Sequence, residues 1–153
     1  MNIKVQDSER KEENAATAGD LGRLVASLRN QIVAKLDCKL KPLDLTASQY
    51  AVIKLIAGNR ADTLAQLCEL TQNDRGAMSR MLCRMEAKCL IVRTPCPHDG
   101  RAFKLALTDN AWALFPQTVK HVNTVYEEAL SGLNMKQREQ LFSLLGHCLS
   151  NLE

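Results

Sequence analysis

Between Cys96 and Arg101 stand a thiol, an imidazole, a carboxylate and a guanidinium, in the order Cys96-Pro97-His98-Asp99-Gly100-Arg101. Such a set suits metal binding, catalysis, or delivery of a charge to a partner. A zinc site needs four ligands at zinc-like spacing. Cys96 and His98 supply two, and the nearest further cysteine, Cys89, lies across a predicted strand, so no metal is expected. Catalysis has no support: the chain carries no Gly-rich phosphate loop, no HExxH and no GxSxG. His98, His121 and His147 are too scattered to pair with a cysteine by spacing, so neither enzyme activity nor a cofactor is expected. The third use remains. Pro95 to Gly100 holds two prolines and an Asp-Gly, which is turn chemistry. Leu90-Ile91-Val92 before it reads as a short strand. Phe103, Leu105 and Leu107 after it alternate with Ala102, Lys104 and Ala106, as in a half-buried strand. The segment is therefore read as the tip and return strand of a β-hairpin. Asp99, two residues before Arg101, can hold the guanidinium extended. An arginine presented in this way suits a narrow minor groove, where negative potential is strong.

The charge around the hairpin points the same way. Residues 72–104 hold seven basic side chains, Arg75, Arg80, Arg84, Lys88, Arg93, Arg101 and Lys104, against Asp74, Glu86 and Asp99. The whole chain carries only +3, so the remainder is slightly acidic. Arg80, Arg84 and Lys88 fall one helical turn apart, roughly opposite Met78, Met81, Leu82 and Met85. A row of this kind attracts phosphates and makes binding salt-dependent. Gln72, Asn73, Arg75 and Ser79, with Gly76 and Ala77, surround the start of the same helix. These are base-reading types beside small residues that permit close approach. Asn73 and Asp74 compete for a second role as helix caps.

The elements that must position these residues follow from periodicity. Asp20 is expected to cap a long helix with Leu21, Leu24, Val25, Leu28, Ile32, Leu36 and Leu40 on one stripe, ended by Pro42. Thr46-Ala-Ser-Gln49 and Thr63-Leu-Ala-Gln66 are capping boxes that open two shorter helices, the first ending near Gly58. Thr71 to Asp74 are expected to turn, and the methionine-striped helix follows. After the hairpin, Thr108 caps a helix with Phe115, Val119, Val122, Tyr126, Ala129 and Leu133 at helical spacing, with Pro116 near its start. Asn134-Met-Lys-Gln137 opens a last helix striped by Leu141, Leu144, Leu145, Cys148, Leu149 and Leu152, with Phe142 beside it.

The predicted fold is mainly α with a small β-hairpin wing: a winged helix-turn-helix plus a helical dimerisation layer from the N- and C-terminal helices. Residues 1–18 read as a disordered polar arm, 19–42 and 109–153 as the dimerisation region, and 43–108 as the DNA-binding unit. The terminal stripes exceed what a core of this size covers, so either they pack on each other in one chain or they pack on a second copy. The second is expected. Apolar residues make up 46% of the chain, enough for a core, and only six residues are aromatic, which favours Leu, Ala and Met in helices. No apolar run reaches membrane-spanning length. The six cysteines form no CxxC pair, and without a secretion signal a reducing cytoplasm is expected.

With these residues placed, the chain resembles the MarR (multiple antibiotic resistance regulator) family, including its SlyA-like members. The match lies in "DLGRLV", "LKPLDLT", "DLTASQYAVIKLI", "GAMSRMLCRMEAK" and "VRTPCPHDGRAFKLALT", and covers nearly everything from Asp20 onward. The resemblance implies a winged-helix homodimer on a palindromic double-stranded operator. It aligns Arg80 with the recognition-helix arginine, and Asp99 and Arg101 with the wing pair. Many relatives are repressors released by small aromatic carboxylates or phenols; Arg23 and Tyr50 match pocket positions, and Gln49 stands where some relatives have His. The family usually has Gly where Cys89 stands, and often Gly where this chain has Asp109-Asn110-Ala111. An oxidant-sensing branch carries a cysteine early in the first helix, and none stands near Gly22 here. The resulting expectation is a ligand-responsive repressor. Alternatives are a thiol- or metal-responsive repressor of the same fold, using Cys83 or Cys96, and a helical interaction module that does not bind DNA.

Overall fold

A computed structural model describes residues 18–96 and 99–153, with side chains from 19–96 and 103–153. The predicted arm at 1–17, the Cys96/His98 pairing and the Asp99–Arg101 side-chain contact lie outside the described residues. Six helices and one hairpin follow in order: α1 (Ala18–Leu40), a 3-10 turn (Lys41–Leu43), α2 (Ala47–Ala57), α3 (Leu64–Thr71), α4 (Arg75–Ala87), β1 (Ile91–Cys96), β2 (Asp99–Leu107), α5 (Asp109–Ala129) and α6 (Met135–Ser150).

The predicted caps form. Thr46 Oγ1 accepts from Gln49 N at 3.2 Å while Gln49 Oε1 accepts from Thr46 N at 3.2 Å. Thr63 with Gln66 and Asn134 with Gln137 repeat the box. Each satisfies two amides that the first helical turn leaves without partners. Asp20, expected as a cap, is already inside α1, because the helix includes Ala18, the last residue assigned to the arm. Its carboxylate favours the first turn through the helix dipole.

Helices α2, α3 and α4 and the 3-10 turn each end next to a non-glycine residue in the left-handed region: Asp44 (φ 52°), Asn59 (φ 52°), Gln72 (φ 53°) and Cys89 (φ 54°). α2 stops at Gly58 as expected, Gly58 being its C-cap, but with an ordinary φ of −84°. The left-handed step falls to Asn59, a residue type that tolerates it.

β1 and β2 pair antiparallel from Ile91↔Leu107 to Pro95↔Phe103, with an irregularity at Pro95/Cys96. Leu90 lies just before β1 rather than in it. Leu105 and Leu107 are buried, but Phe103, of the same parity, is 44% exposed. By that position the hairpin has left the core, so parity no longer implies burial. Leu105 N donates to Asp62 O at 2.7 Å, tying the wing root to the loop before α3.

One hydrophobic core runs from Val52, Leu67, Met78 and Met85 in the winged unit to Leu36, Leu40, Val122 and Val125 in α1 and α5. Leu133 lies beyond α5, which ends at Ala129, and Tyr126 is exposed. The N-terminal half of α1 leaves Leu21, Leu24, Val25 and Leu28 exposed. α6 buries none of its residues. Its start is held by Arg138, which donates to Leu133 O (3.2 Å) and Leu130 O (3.3 Å) and pairs with Glu127 (2.7 Å). The two terminal stripes therefore do not cover each other within one chain.

Cys89 links α4 to β1, and its carbonyl accepts from Thr108 Oγ1 at 2.6 Å while Thr108 caps α5. The junction is sound, but a Cβ at φ 54° is strained. Cys89→Gly removes about 1–2 kcal/mol of left-handed strain and restores about 0.4–1 kcal/mol of unfolded-state entropy. A net gain of about 0.5–1 kcal/mol is expected, read as a higher midpoint in urea; a lower midpoint would contradict the strain argument.

Candidate nucleic-acid interface

α4 is set by what it buries. Met78, Met81, Leu82 and Met85 face the core, and their exposures are all 9% or below. At 100° per residue the opposite face is centred on Gly76, Arg80, Cys83 and Ala87, with Arg84 and Ser79 at its margins. Arg75, Gly76, Arg80, Cys83 and Arg84 are exposed, and Ser79 is half-buried.

The start of α4 separates capping from free side chains. Asp74 is the cap, its Oδ1 accepting from Ala77 N at 2.9 Å. Asn73 does not cap; its amide donates to Thr71 Oγ1 at 3.0 Å, and that hydroxyl donates to Leu67 O at 2.6 Å. Thr71 belongs to α3, so the turn is shorter than the sequence suggests. Gln72 is its left-handed C-cap, with an exposed side chain. A Cβ on Gly76 would lie 3.3 Å from Arg80 Nη1 and 3.2 Å from Asp74 Oδ1. The missing side chain thus lets the Arg80 guanidinium lie back along the helix toward its N-terminus.

Ion pairs sort the basic residues. Lys88, predicted to continue the Arg80–Arg84 row, turns away: its Nζ pairs with Asp44 Oδ1 at 3.0 Å and donates to Asp44 O at 2.6 Å. Lys104 pairs with Asp62 at 3.2 Å. Arg93 reaches from β1 to α4, with Nε 3.1 Å from Glu86 Oε2 and Nη2 3.2 Å from Cys83 Sγ. The Nε hydrogen is not aligned on the carboxylate, so that contact is ionic rather than a directed hydrogen bond. Of the basic residues in 72–104 whose side chains are described, Arg75, Arg80 and Arg84 have no carboxylate partner, and all three lie on α4. The backbone of Asp99 and Arg101 belongs to β2, at the far end of the hairpin from the core. Sequence reasoning missed the Arg93 tie, the Lys88–Asp44 pair and the Gly76–Arg80 packing, and no local pattern signals any of them.

Arg23 and Tyr50 are not brought together in one chain. Arg23 is exposed in the first third of α1, 3.1 Å from Asp20. Tyr50 is buried in α2, and burial, then the neighbouring Tyr126, pushes its hydroxyl above the ordinary tyrosine pKa. α1 meets the start of α2 at Asp37, whose Oδ1 accepts from Ala47 N at 2.7 Å. Arg23 lies fourteen residues earlier in α1, which at about 1.5 Å per residue is roughly 20 Å away. All six cysteines are free thiols. Among the described residues no three or more His, Cys, Asp or Glu side chains cluster as metal ligands, and no helix is long and apolar enough to cross a membrane.

The family model of the MarR family matches residues 43–102. Wild-type MarR from E. coli, in its apo form, is 31% identical, with 84% of this chain and 96% of that chain covered and a TM-score of 0.73. A cysteine-to-serine variant of E. coli MarR, solved in complex with operator DNA, is 30% identical over 85% of this chain and 94% of that one, with a TM-score of 0.78. Bordetella bronchiseptica BpsR, whose DNA binding is regulated by 6-hydroxynicotinic acid, shares the fold at 23% identity and a TM-score of 0.76, over 84% of this chain and 98% of its own. With its helix-turn-helix, its hairpin wing and this likeness to E. coli MarR along nearly the whole of that protein, the chain belongs to the MarR family of DNA-binding transcriptional regulators.

Proposed function

We propose that the chain is a repressor that binds a palindromic DNA operator as a homodimer in the cytoplasm and is released by a small aromatic carboxylate or phenol. The observation that carries DNA binding is the sorting of charge: Lys88, Arg93 and Lys104 are spent on ion pairs, while Arg80 and Arg84 remain unpaired on the exposed face of α4 and Arg75 remains unpaired at its exposed first residue. In this reading Gln72, Asn73, Arg75 and Ser79 meet base edges and backbone at the start of α4. Arg80 and Arg84 follow along the groove, and Arg101, steadied by Asp99, enters the minor groove from the wing. The complex of E. coli MarR with operator DNA supports this reading.

The exposed stripes of α1 and α6 support a dimer in which 19–42 and 109–153 form the shared layer and 43–108 the DNA-binding unit. Because Arg23 lies roughly 20 Å along α1 from Asp37, where α1 meets the start of the helix that carries Tyr50, a pocket that uses both takes Arg23 from the second copy. The regulation of BpsR by 6-hydroxynicotinic acid supports an aromatic acid as effector. A thiol reading has one observation in its favour, the Cys83 thiol held 3.2 Å from the Arg93 guanidinium in the middle of the DNA-facing side of α4.

Three outcomes test the proposal. In analytical ultracentrifugation the protein should sediment at twice its 17.0 kDa chain mass at micromolar concentration. Truncation after Asn134 should dissociate it, since each Leu-sized side chain removed forfeits about 1.5–3 kcal/mol of burial; a monomeric full-length protein contradicts the dimer.

In mobility shifts with genomic fragments, Arg101→Ala should weaken operator binding by about 1–3 kcal/mol and lower the salt slope by about one, with unchanged circular dichroism. Arg80→Ala should weaken it with a larger change in sequence preference. Parent-like affinity for both variants would remove the DNA interface assigned here.

A hundredfold release of operator by an aromatic acid requires about 2.7 kcal/mol of coupling. Arg23→Ala should blunt that release and leave ligand-free DNA binding near normal. Release by peroxide or copper that disappears in Cys83→Ser would instead establish the thiol reading.

A further inference from the structure

A cleft of about 420 Å³ lies where the end of α2, the loop before α3, the strand β2 and the first turn of α5 meet. Its volume is in the range of small-molecule sites, about 300–1,000 Å³. Ile56 and Leu105 give it an apolar floor, and Arg60, Gln66 and Trp112 stand around it. It is separate from the α4 face and from Arg23. Another hollow, along α5 from Pro116 to Glu127, has residues of α5 alone for walls, so nothing encloses a ligand there.

The side chains specify a ligand chemistry. Trp112 is the only tryptophan in the chain and is 48% exposed. An edge-on contact with Phe115 at 5.9 Å limits how its ring can turn. A large aromatic surface left in water beside a cleft favours a planar apolar ring. Arg60 sits in a loop pinned by backbone bonds from Gly58, Asn59 and Arg60 into the last turn of α2. Its guanidinium has no ion pair among the described residues, because the nearest acid in sequence, Asp62, is taken by Lys104 at 3.2 Å. The Gln66 oxygen is fixed by accepting from Asp62 N (2.9 Å) and Thr63 N (3.2 Å), which leaves its NH₂ group as a donor. A free guanidinium, an amide donor and an aromatic wall together fit the carboxylate and ring of a small aromatic acid.

The position also gives such a ligand a mechanical consequence. The Leu105 N to Asp62 O bond (2.7 Å), which seats the wing root, spans two walls of the cleft. A ring wedged against Leu105 and Ala106 bears on β2 directly, and through Trp112 on α5. We propose that this cleft is a binding site for a planar aromatic carboxylate, with Arg60 as its anion partner and Trp112 as its ring partner, and that occupancy shifts the wing relative to α4. The coupling half rests on the DNA-binding reading above; the binding half does not.

Benzoate is the probe, titrated into full-length protein with Trp112 fluorescence as the readout and benzamide as the uncharged control. A saturable change is expected, at least tenfold weaker for benzamide and for Arg60→Ala, and partly restored by Arg60→Lys. No saturable change, or parent-like binding by Arg60→Ala, would overturn the site. In parallel, operator mobility shifts at saturating benzoate should show at least a tenfold weaker complex, and Arg60→Ala should reverse part of that loss; undiminished DNA binding, or a loss unchanged in Arg60→Ala, overturns the coupling. A protein that binds no DNA even without benzoate counts against the proposed function, while the fluorescence titration still decides the site.

Discussion

The burial of four side chains on α4 governs what this protein presents to a partner. Met78, Met81, Leu82 and Met85 each contribute about 1.5–3 kcal/mol when removed from water, so together they outweigh any surface ion pair, worth about 0–1 kcal/mol. Turning α4 by one residue, about 100°, would expose part of that stripe and press Ser79 toward the core. The helix therefore has one stable rotation. Arg80 and Arg84 are exposed as a consequence of that packing, not because anything holds them outward.

Given a fixed α4, the ion pairs matter for position more than for stability. The Arg93–Glu86 pair and the contact with Cys83 join the wing root to the middle of α4, on the core-facing side of the hairpin. The Leu105–Asp62 backbone bond and the Lys104–Asp62 pair hold the other strand to the loop before α3. The wing is thus fastened on both sides at its base, while Phe103 farther out is exposed. Motion of the tip leaves the base seated, whereas a disturbance at the base moves the whole hairpin.

What could be read from the sequence depended on the range of the interaction involved. Capping boxes at Thr46, Thr63 and Asn134 are contacts over three residues, and they were legible in the order of side chains. The methionine stripe of α4 was legible because one face of a helix repeats. The Lys88–Asp44 pair joins residues 44 positions apart, and helical spacing alone extended the basic row one turn too far. Phe103 shows the same limit for strands: alternation gives the face, but only the tertiary position of the hairpin says where that face stops meeting the core. Cys89 shows a backbone need hidden by its side chain, since its φ of 54° is the conformation for which the family's usual glycine is suited. Arg23 and Tyr50 matched pocket positions one by one, and it took the length of α1 to show that a single chain keeps them apart.

The continuity of the core bears on how such a protein can be switched. Leu36 and Leu40 of α1 and Val122 and Val125 of α5 belong to the same buried cluster as Leu67 and Met78 of the winged unit. Close-packed interiors move as bodies rather than deform smoothly. In the proposed dimer, the angle at which two copies meet therefore sets the separation of their α4 helices, with no flexible joint to absorb a change. A ligand acts on that separation only through a difference in its affinity for the two arrangements, since equal affinity shifts nothing however tightly it binds. A site inside the rigid core would feel little of that difference. Sites at its margins, such as the dimer layer or the base of the wing, are where two arrangements differ most and where a small ligand gains the most by choosing one.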